Sequence, residues 1–118
     1  MTNFFQLCAS DSAVTSLLGT TPLRIYPIRA PQGVAYPYVT YQTISSNPFA
    51  HLSDRPNSDA TSIQVDIWAK SHDEAWQIFR TIRHAIEGNC YLSLSLEDMD
   101  TETTVYRLSF DADFVVSR

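Results

Sequence analysis

Glycine is scarce in this 118-residue chain, which contains only Gly19, Gly33 and Gly88. Loops that cradle phosphate groups need several glycines close together, because the backbone itself must approach the ligand. The sequence contains no glycine-rich nucleotide-binding motif, and it also lacks the G-x-S-x-G nucleophile elbow and the H-E-x-x-H metal motif. The sequence therefore carries no catalytic signature, and we expect neither an enzyme nor a cofactor-binding protein.

Basic residues are also few, since 8 Lys and Arg stand against 13 Asp and Glu and give a net charge of −5. Lys70 is the only lysine, and the arginines are scattered along the chain. Tight binding to nucleic acid requires clustered Lys or Arg that neutralise phosphates. We therefore expect no specific nucleic-acid binding, although an acidic surface would suit a passage that DNA traverses without being held.

Metal-binding and disulfide patterns are missing as well. Cys8 and Cys90 are the only cysteines, and neither they nor His51, His72 and His84 show C-x-x-C or H-x-x-x-H spacing. We expect two small buried or half-buried thiols and no zinc site.

No apolar run approaches the roughly 20 residues that a membrane-spanning helix needs. The N-terminal sequence MTNFFQLCASD lacks the basic start and long apolar core of a secretory signal. We expect no membrane partner and a protein that folds in a cytoplasm. With 44% apolar residues, a single domain spanning residues 1–118 can bury one core without disulfides or metals.

The strongest pattern in the chain runs from Ala60 to Gly88. Apolar residues alternate from Ile63 to Ala69, which predicts a strand with one apolar face. Ser71 and Glu74 then form an S-x-x-E capping box, in which each side chain binds the other residue's N–H group. The following apolar residues share one helical stripe, and Gly88 can close the helix at positive φ. That stripe contains Ala75, Ile78, Phe79, Ile82, Ala85 and Ile86.

The N-terminal part of the chain predicts a helix and two strands. Residues Phe4–Leu18 suit a helix that breaks near Ser10 and ends at Gly19. Leu23–Ile28 is a short strand candidate that its prolines confine to a sheet edge or to an irregular arm, and Tyr38–Ser45 is a stronger strand.

The C-terminal part predicts an antiparallel hairpin. Tyr91–Leu96 and Thr104–Val116 alternate apolar and polar residues, and the acidic segment Glu97–Glu102 forms the turn between them. Together these elements predict an α+β fold, a two-layer sandwich in which a mostly antiparallel sheet of about four strands carries two helices on one face.

Three regions are candidates for contact with a partner protein. The long loop Ser46–Ala60 holds Phe49, Leu52 and Arg55, and it is either an arm that orders on a partner or a flexible hairpin tip. The polar face of the sheet includes Trp68. The third candidate is a helical stripe with Trp76, Arg80 and Arg83, residue types that are frequent in interface hot spots. The alternative for this stripe is a tryptophan that covers the sheet edge, with arginine packed over it.

Two groups of carboxylates are weaker candidates for chemistry. The segment Glu97–Glu102 could bind Ca²⁺, but it lacks the spacing of an EF-hand loop and better suits a solvated turn. Asp111 and Asp113 share one strand face and could act as an acid–base pair, although a solvated face or contact with arginine is the simpler interpretation.

The order of elements resembles the phage tail-completion family, which comprises small head–tail joining, tail-terminator-like proteins. The resemblance rests on the strand IQVDIWA, the S-x-x-E turn, the helix EAWQIFRTIRHAIEG and the closing strand YRLSFDADFVV. The helix ending at Gly19 and the segment AYPYVTYQTIS before a variable loop agree with it.

This resemblance implies a structural role in the virion tail. Such proteins are similar to ring-forming subunits, typically hexameric, that cap the head-proximal end of the tail tube and dock to the head connector. The implied partners are copies of the chain itself, the tail tube protein and the connector, with assembly in the host cytoplasm and DNA passing through the ring. Two alternatives remain: a small dimeric α+β ligand-binding or regulatory module, which needs a concave pocket, and a small hydrolase that uses Asp111 and Asp113 or a Ser/His pair.

Overall fold

The computed structural model of the protein describes residues 4–19, 23–47 and 58–117. Within these residues there are three helices, α1 (Phe4–Ala9), α2 (Ser12–Leu18) and α3 (His72–Ile86). They also form five strands, β1 (Ile25–Pro27), β2 (Tyr38–Asn47), β3 (Ser58–Ala69), β4 (Cys90–Asp100) and β5 (Val105–Ser117). The predicted mixed class is confirmed, and its detail is corrected from about four strands and two helices to five and three.

The described strands form one sheet in the order β1-β2-β3-β5-β4. All neighbours are antiparallel except β1, which runs parallel to β2 at the edge of the sheet. The predicted edge position of the first strand and the predicted C-terminal hairpin are both confirmed.

Helices cover one face of this sheet, which we call the helix face, and the opposite side is the open face. Helix α3 packs on the middle strands β3 and β5. Its stripe Ala75, Ile78, Phe79, Ile82 and Ile86 is buried, as the sequence predicts. Helices α1 and α2 pack beside α3, and the Phe4 ring lies 5.0 Å from the Tyr41 ring of β2. None of the described helices is long and apolar enough to span a membrane.

Local capping chemistry explains where the helices begin. Asp11 separates α1 from α2, and its carboxylate accepts hydrogen bonds from the N–H groups of Ala13 and Val14 at 2.9 and 3.2 Å. The predicted break near Ser10 is therefore confirmed. At the start of α3, the Ser71 hydroxyl accepts from the Glu74 N–H at 3.2 Å. The Glu74 carboxylate reaches the Lys70 N–H at 3.1 Å rather than the Ser71 N–H, which corrects the reciprocal half of the capping box.

Helix ends differ in their use of glycine. Gly19 adopts a φ of +85° and donates to the Thr15 carbonyl, which confirms the predicted end of α2. The predicted positive φ at Gly88 is wrong, because α3 closes through Glu87 in a right-handed conformation with a φ of −59°. The Glu87 N–H donates to the Arg83 carbonyl at 2.8 Å, so the last turn closes without a left-handed residue.

The acidic segment Glu97–Glu102 is mostly strand, not turn, which corrects the predicted hairpin. Strand β4 continues to Asp100, and the turn occupies residues 101–104. A bulge at Ser95 interrupts the pairing, because Leu94 lies opposite Phe110 and Leu96 lies opposite Ser109. The extra residue moves Leu96 to the open face, whereas the simple alternation of the sequence places it beside Leu94.

The predicted loop Ser46–Ala60 is shorter than the sequence suggests. Strand β2 runs to Asn47 and β3 begins at Ser58, and Asn47 pairs with Ala60. The ends of the predicted loop are therefore strand. Phe49, Leu52 and Arg55 lie outside the described residues.

Candidate protein–protein interface

A buried carboxylate lies at the centre of the open face. Asp66 is only 8% exposed and accepts a short hydrogen bond from the hydroxyl of Ser109, its partner across β3 and β5. The guanidinium of Arg107 lies 3.4 Å from the same carboxylate oxygen, and the amide of Gln64 donates to it at 3.3 Å. These contacts satisfy the carboxylate inside the sheet, so it is a structural group.

Beside this cluster lies a row of stacked aromatic rings. The Tyr36 and Tyr38 rings stack at 5.3 Å, and the Tyr38 and Trp68 rings at 6.1 Å. Arg107 lies 5.1 Å from the centre of the Trp68 ring, and Lys70 lies 5.0 Å from the Tyr36 ring. The predicted interface residue Trp68 is thus half-buried in contacts of its own chain, and its indole N–H donates to Thr40 at 3.2 Å.

This row borders a surface groove of about 340 Å³ with Asp98, Asp100 and Arg107 on its far side. The groove combines aromatic surface with carboxylates, a chemistry that suits a partner carrying a basic side chain. It is a shallow feature of an open sheet, unlike the enclosed apolar pocket that typifies a small-molecule site.

Trp76 of the helical stripe is bound to the sheet. Its ring meets Phe79 edge-on at 5.4 Å, and its N–H donates to the Glu97 carboxylate at 3.3 Å. The Tyr106 hydroxyl donates a short hydrogen bond to the same carboxylate, and His72 approaches it at 4.0 Å. The Tyr106 hydrogen bond above all, then the hydrogen bond from Trp76 and the electrostatic effect of His72, hold the pKa of Glu97 below its usual value.

The two arginines of the same stripe point away from the core. Arg80 and Arg83 are exposed, and Arg83 makes a long ion pair with Glu87 at 4.0 Å. The structure therefore divides the stripe into a tryptophan that joins α3 to β4 and two arginines whose side chains are exposed.

The carboxylates Asp111 and Asp113 do share the open face. Asp113 accepts a hydrogen bond from Ser62 at 2.6 Å. Burial raises the pKa of Asp111, and the neighbouring carboxylates Asp113 and Asp66 raise it further. Among residues 4–19, 23–47 and 58–117, no group of His, Cys, Asp and Glu side chains is arranged to hold a metal ion.

Both thiols are held in their protonated form. Burial, with a smaller contribution from Asp11, raises the pKa of Cys8 to about 12. Burial and then Asp113 raise the pKa of Cys90 to about 11, and its thiol donates to the Ile86 carbonyl at 3.4 Å. A thiol becomes a good nucleophile only as the thiolate, so these two are poor candidates for catalysis.

The sequence did not reveal how much apolar surface β4 exposes. Helix α3 packs on β3 and β5, and the helix face of β4 extends beyond this cover. Four of the exposed large apolar side chains of the described residues belong to this strand. By their partners on β5, Leu94 and Met99 lie on the helix face, and Tyr91 and Leu96 lie on the open face. The alternation of Leu92 and Leu94 predicts a buried face, yet Leu94 is 46% exposed.

A second apolar surface lies at the opposite edge of the sheet. A groove of about 380 Å³ runs beside the end of β1, and Ile28 on its rim is 73% exposed. Its lining residues are Pro27, Ile28, Tyr41, Gln42, Thr43 and Ile63. Ile28 also has a φ of +68°, a left-handed conformation that is unfavourable for a β-branched residue.

Comparison with known proteins identifies the class of this fold. The family profile of "Tail completion protein gp17" matches residues 2–117. The chain belongs to this tail completion family. It is therefore a structural component of the tail of a phage-type virion, which confirms the predicted family and location.

Solved structures share the fold. A chain from the "Virion of native gene transfer agent (GTA) particle" aligns with a TM-score of 0.66 and 15% sequence identity, over 98% of this chain and 92% of that chain. A comparison with curated protein sequences gave no match.

Proposed function

We propose that this tail protein is the subunit of a ring that closes the head-proximal end of the tail tube and joins it to the head connector. Membership of the tail completion family supports this role. The observation that carries it furthest is the exposure of apolar side chains at two opposite edges of one sheet, around Leu94 and around Ile28. A ring needs two different surfaces on each copy, because each copy contacts its neighbours head to tail.

The chemistry of the chain also suits a passage for DNA. Its net charge is −5, and the carboxylates Glu97, Asp98 and Asp100 are exposed along β4. Negative surface repels the phosphate backbone, so DNA can move past it without being retained. In this role the protein contributes contacts and shape, and no residue acts on a substrate.

The partners in this proposal are other copies of the chain, six to a ring, the tail tube protein and the connector. We assign to them the exposed arginines Arg80 and Arg83, the groove beside Trp68 and the segment with Phe49, Leu52 and Arg55. Trp76 stabilises the part of α3 that carries Arg80 and Arg83, because it joins α3 to β4.

Two measurements test the proposal. Native mass spectrometry of the chain, alone and after addition of isolated tail tubes, should reveal a closed oligomer of a single size. Electron microscopy with a gold label on the chain should then find it at one end of the tube only. A chain that stays monomeric at every concentration and never associates with tubes would refute the ring.

A further inference from the structure

We infer that neighbouring copies join through one continuous antiparallel sheet, in which residues 90–93 of β4 pair with residues 42–46 in the uncovered part of β2 of the next copy, and Leu94 follows the paired stretch at the end of β1. This inference rests on the proposed ring and specifies its contact. Four features of the sheet support it: two uncovered edges, their equal level, their opposite direction and a groove that fits Leu94.

Each outer edge of the sheet has an uncovered stretch. Strand β1 pairs only with residues Val39 to Tyr41 of β2, so the edge of β2 from Gln42 onward is uncovered in the described part of the chain. Strand β4 ends the sheet on the other side. Exposed strand edges present unpaired N–H and C=O groups, and proteins protect them with charges or prolines. Residues 90–96 of β4 contain neither, whereas Glu97, Asp98 and Asp100 protect the rest of the strand.

The two uncovered stretches lie at the same height in the sheet. Leu92 pairs with Ala112, Ala112 with Ile63, and Ile63 with Thr43. This row of cross-strand partners joins the centre of the uncovered stretch of β4 to the uncovered stretch of β2. Copies placed side by side at equal height therefore bring the two stretches together.

Strand direction makes the two stretches compatible. The pairs β2–β3, β3–β5 and β5–β4 are all antiparallel. Strands β2 and β4 of one copy consequently run in opposite directions. When adjacent copies have the same orientation, β4 of one copy is antiparallel to β2 of the next, and antiparallel pairs are slightly more stable per residue than parallel ones. Repetition of this contact around an axis closes a ring and leaves no uncovered edge.

Side chains on the helix face fit the same arrangement. Leu94 lies on that face, since its partner is the buried Phe110. The groove of about 380 Å³ beside Ile28 opens on the same face, because Tyr41, Thr43 and Ile63 line it. Leu94 is level with Tyr41 through Phe110 and Val65. Leu94 of one copy thus enters the groove of the next copy, where it meets the exposed and strained Ile28.

Charge favours this choice of neighbour over a symmetric pairing of two β4 strands. The acidic part of β4 would face the stretch of the next copy that β1 covers, and the exposed Arg29 follows β1. Two β4 strands paired around a twofold axis at residues 90–94 would instead place Glu97, Asp98 and Asp100 at the two opposite ends of the pair, away from Arg29 of either copy. Opposite charges at an interface help to select the correct partner.

Variants with one new charge at each edge test the inference. Leu94→Lys changes the β4 side, Ile28→Lys changes the groove side, and Phe5→Lys is the matched control on α1, where the phenylalanine is 36% exposed. Each chain is examined by thermal unfolding and by native mass spectrometry, alone and on tail tubes. We expect all three to fold, and we expect the edge variants to lose oligomers at least tenfold while the control assembles as the unmodified chain does. If Leu94→Lys fails to fold, Leu94→Ser replaces it.

Mixing the two edge variants identifies the contact. In a 1:1 mixture, the unmodified Leu94 of the Ile28→Lys chain can still meet the unmodified Ile28 of the Leu94→Lys chain. The reverse contact brings two lysines together. We expect heterodimers and no rings, whereas pairing of two β4 strands would give homodimers of the Ile28→Lys chain and overturn the inference.

The two proposals fail in different ways. Rings formed by Leu94→Lys as readily as by the unmodified chain would refute the edge pairing and leave the ring intact. An unmodified chain that never oligomerises would refute both.

Discussion

Replacement of Asp66 by alanine tests whether the open face contains a buried polar cluster that the fold requires. The hydroxyl of Ser109 is 0% exposed and would lose its acceptor, Asp66. An orphaned buried donor costs about 1–3 kcal/mol. Arg107, whose side chain is 33% exposed, can turn to water and adds less than about 1 kcal/mol. We therefore expect Asp66→Ala to lower the free energy of unfolding by about 1–4 kcal/mol.

The sheet contains a matched control, a second Ser–Asp pair that is exposed to solvent. Ser62 and Asp113 are also cross-strand partners on the open face, joined by a hydrogen bond of 2.6 Å, but Asp113 is exposed. Its replacement leaves the Ser62 hydroxyl free to bind water. We expect Asp113→Ala to change stability by no more than about 0.5 kcal/mol.

Urea unfolding followed by circular dichroism measures both effects at neutral pH. The midpoint should fall for Asp66→Ala without a change in slope, and the melting temperature should fall by about 4–16 °C. The double variant with Ser109→Ala should lose less than the sum of the two single variants, because it leaves no orphaned hydroxyl. Equal losses for Asp66→Ala and Asp113→Ala, or strictly additive losses in the double variant, would refute the argument.

Three further predictions concern other parts of the chain. Ile82→Ala should cost about 2–5 kcal/mol because it opens a cavity between α3 and the sheet, and a cost like that of the exposed Arg83→Ala would contradict this packing. Ile28→Asn should raise the melting temperature of the monomer, since asparagine tolerates the φ of +68° better than isoleucine, and a lower melting temperature would argue against strain. The bond from Tyr106 keeps the pKa of Glu97 low, so its stabilising effect is complete above the unfolded pKa of about 4.3 and is lost as pH falls through the lower folded value. The stability difference between the native chain and Tyr106→Phe should accordingly shrink in acid, and a difference that grows there would contradict the assignment.

Periodic patterns predicted the helix–sheet packing well. The buried stripe of α3 and the buried alternation Ile63, Val65, Ile67 and Ala69 of β3 appear in the structure as the sequence indicates. Both elements lie in the middle of the fold, where each apolar side chain meets another element. Under these conditions the direction of a side chain follows directly from its position in the repeat.

The same periodic patterns gave wrong predictions at the edge of the sheet and at the bulge. The repeat of Leu92, Leu94 and Leu96 predicts one buried face, but the bulge at Ser95 turns Leu96 to the other side and α3 packs on β3 and β5, short of Leu94. Neither the extra residue nor the lateral reach of a helix leaves a local signal in the sequence. The exposed apolar surfaces at the edges of the sheet were therefore the part of the described structure that the sequence predicted least.

The sequence also gave no sign of which polar side chains of the sheet are buried. Asp66 and Asp113 both alternate with apolar residues in strands that read alike. Only the register between β3 and β5 places Ser109 opposite Asp66 and brings Arg107 over it. The predicted roles of Trp68 and Trp76 likewise needed the neighbours that each ring contacts, because a tryptophan can serve a core or a partner with the same sequence pattern.

The sequence by itself determined the class of the fold, the pairing of its main helix with its central strand, and a family whose members complete phage tails. Those features depend on residues close together in the chain, and short-range periodicity and capping encode them. Tertiary structure alone decided which strand edges remain uncovered, that they lie at equal height, and that Leu94 and the groove beside Ile28 lie on the same face. Such relations join residues far apart in the chain, and they exist only once the register of the strands is set.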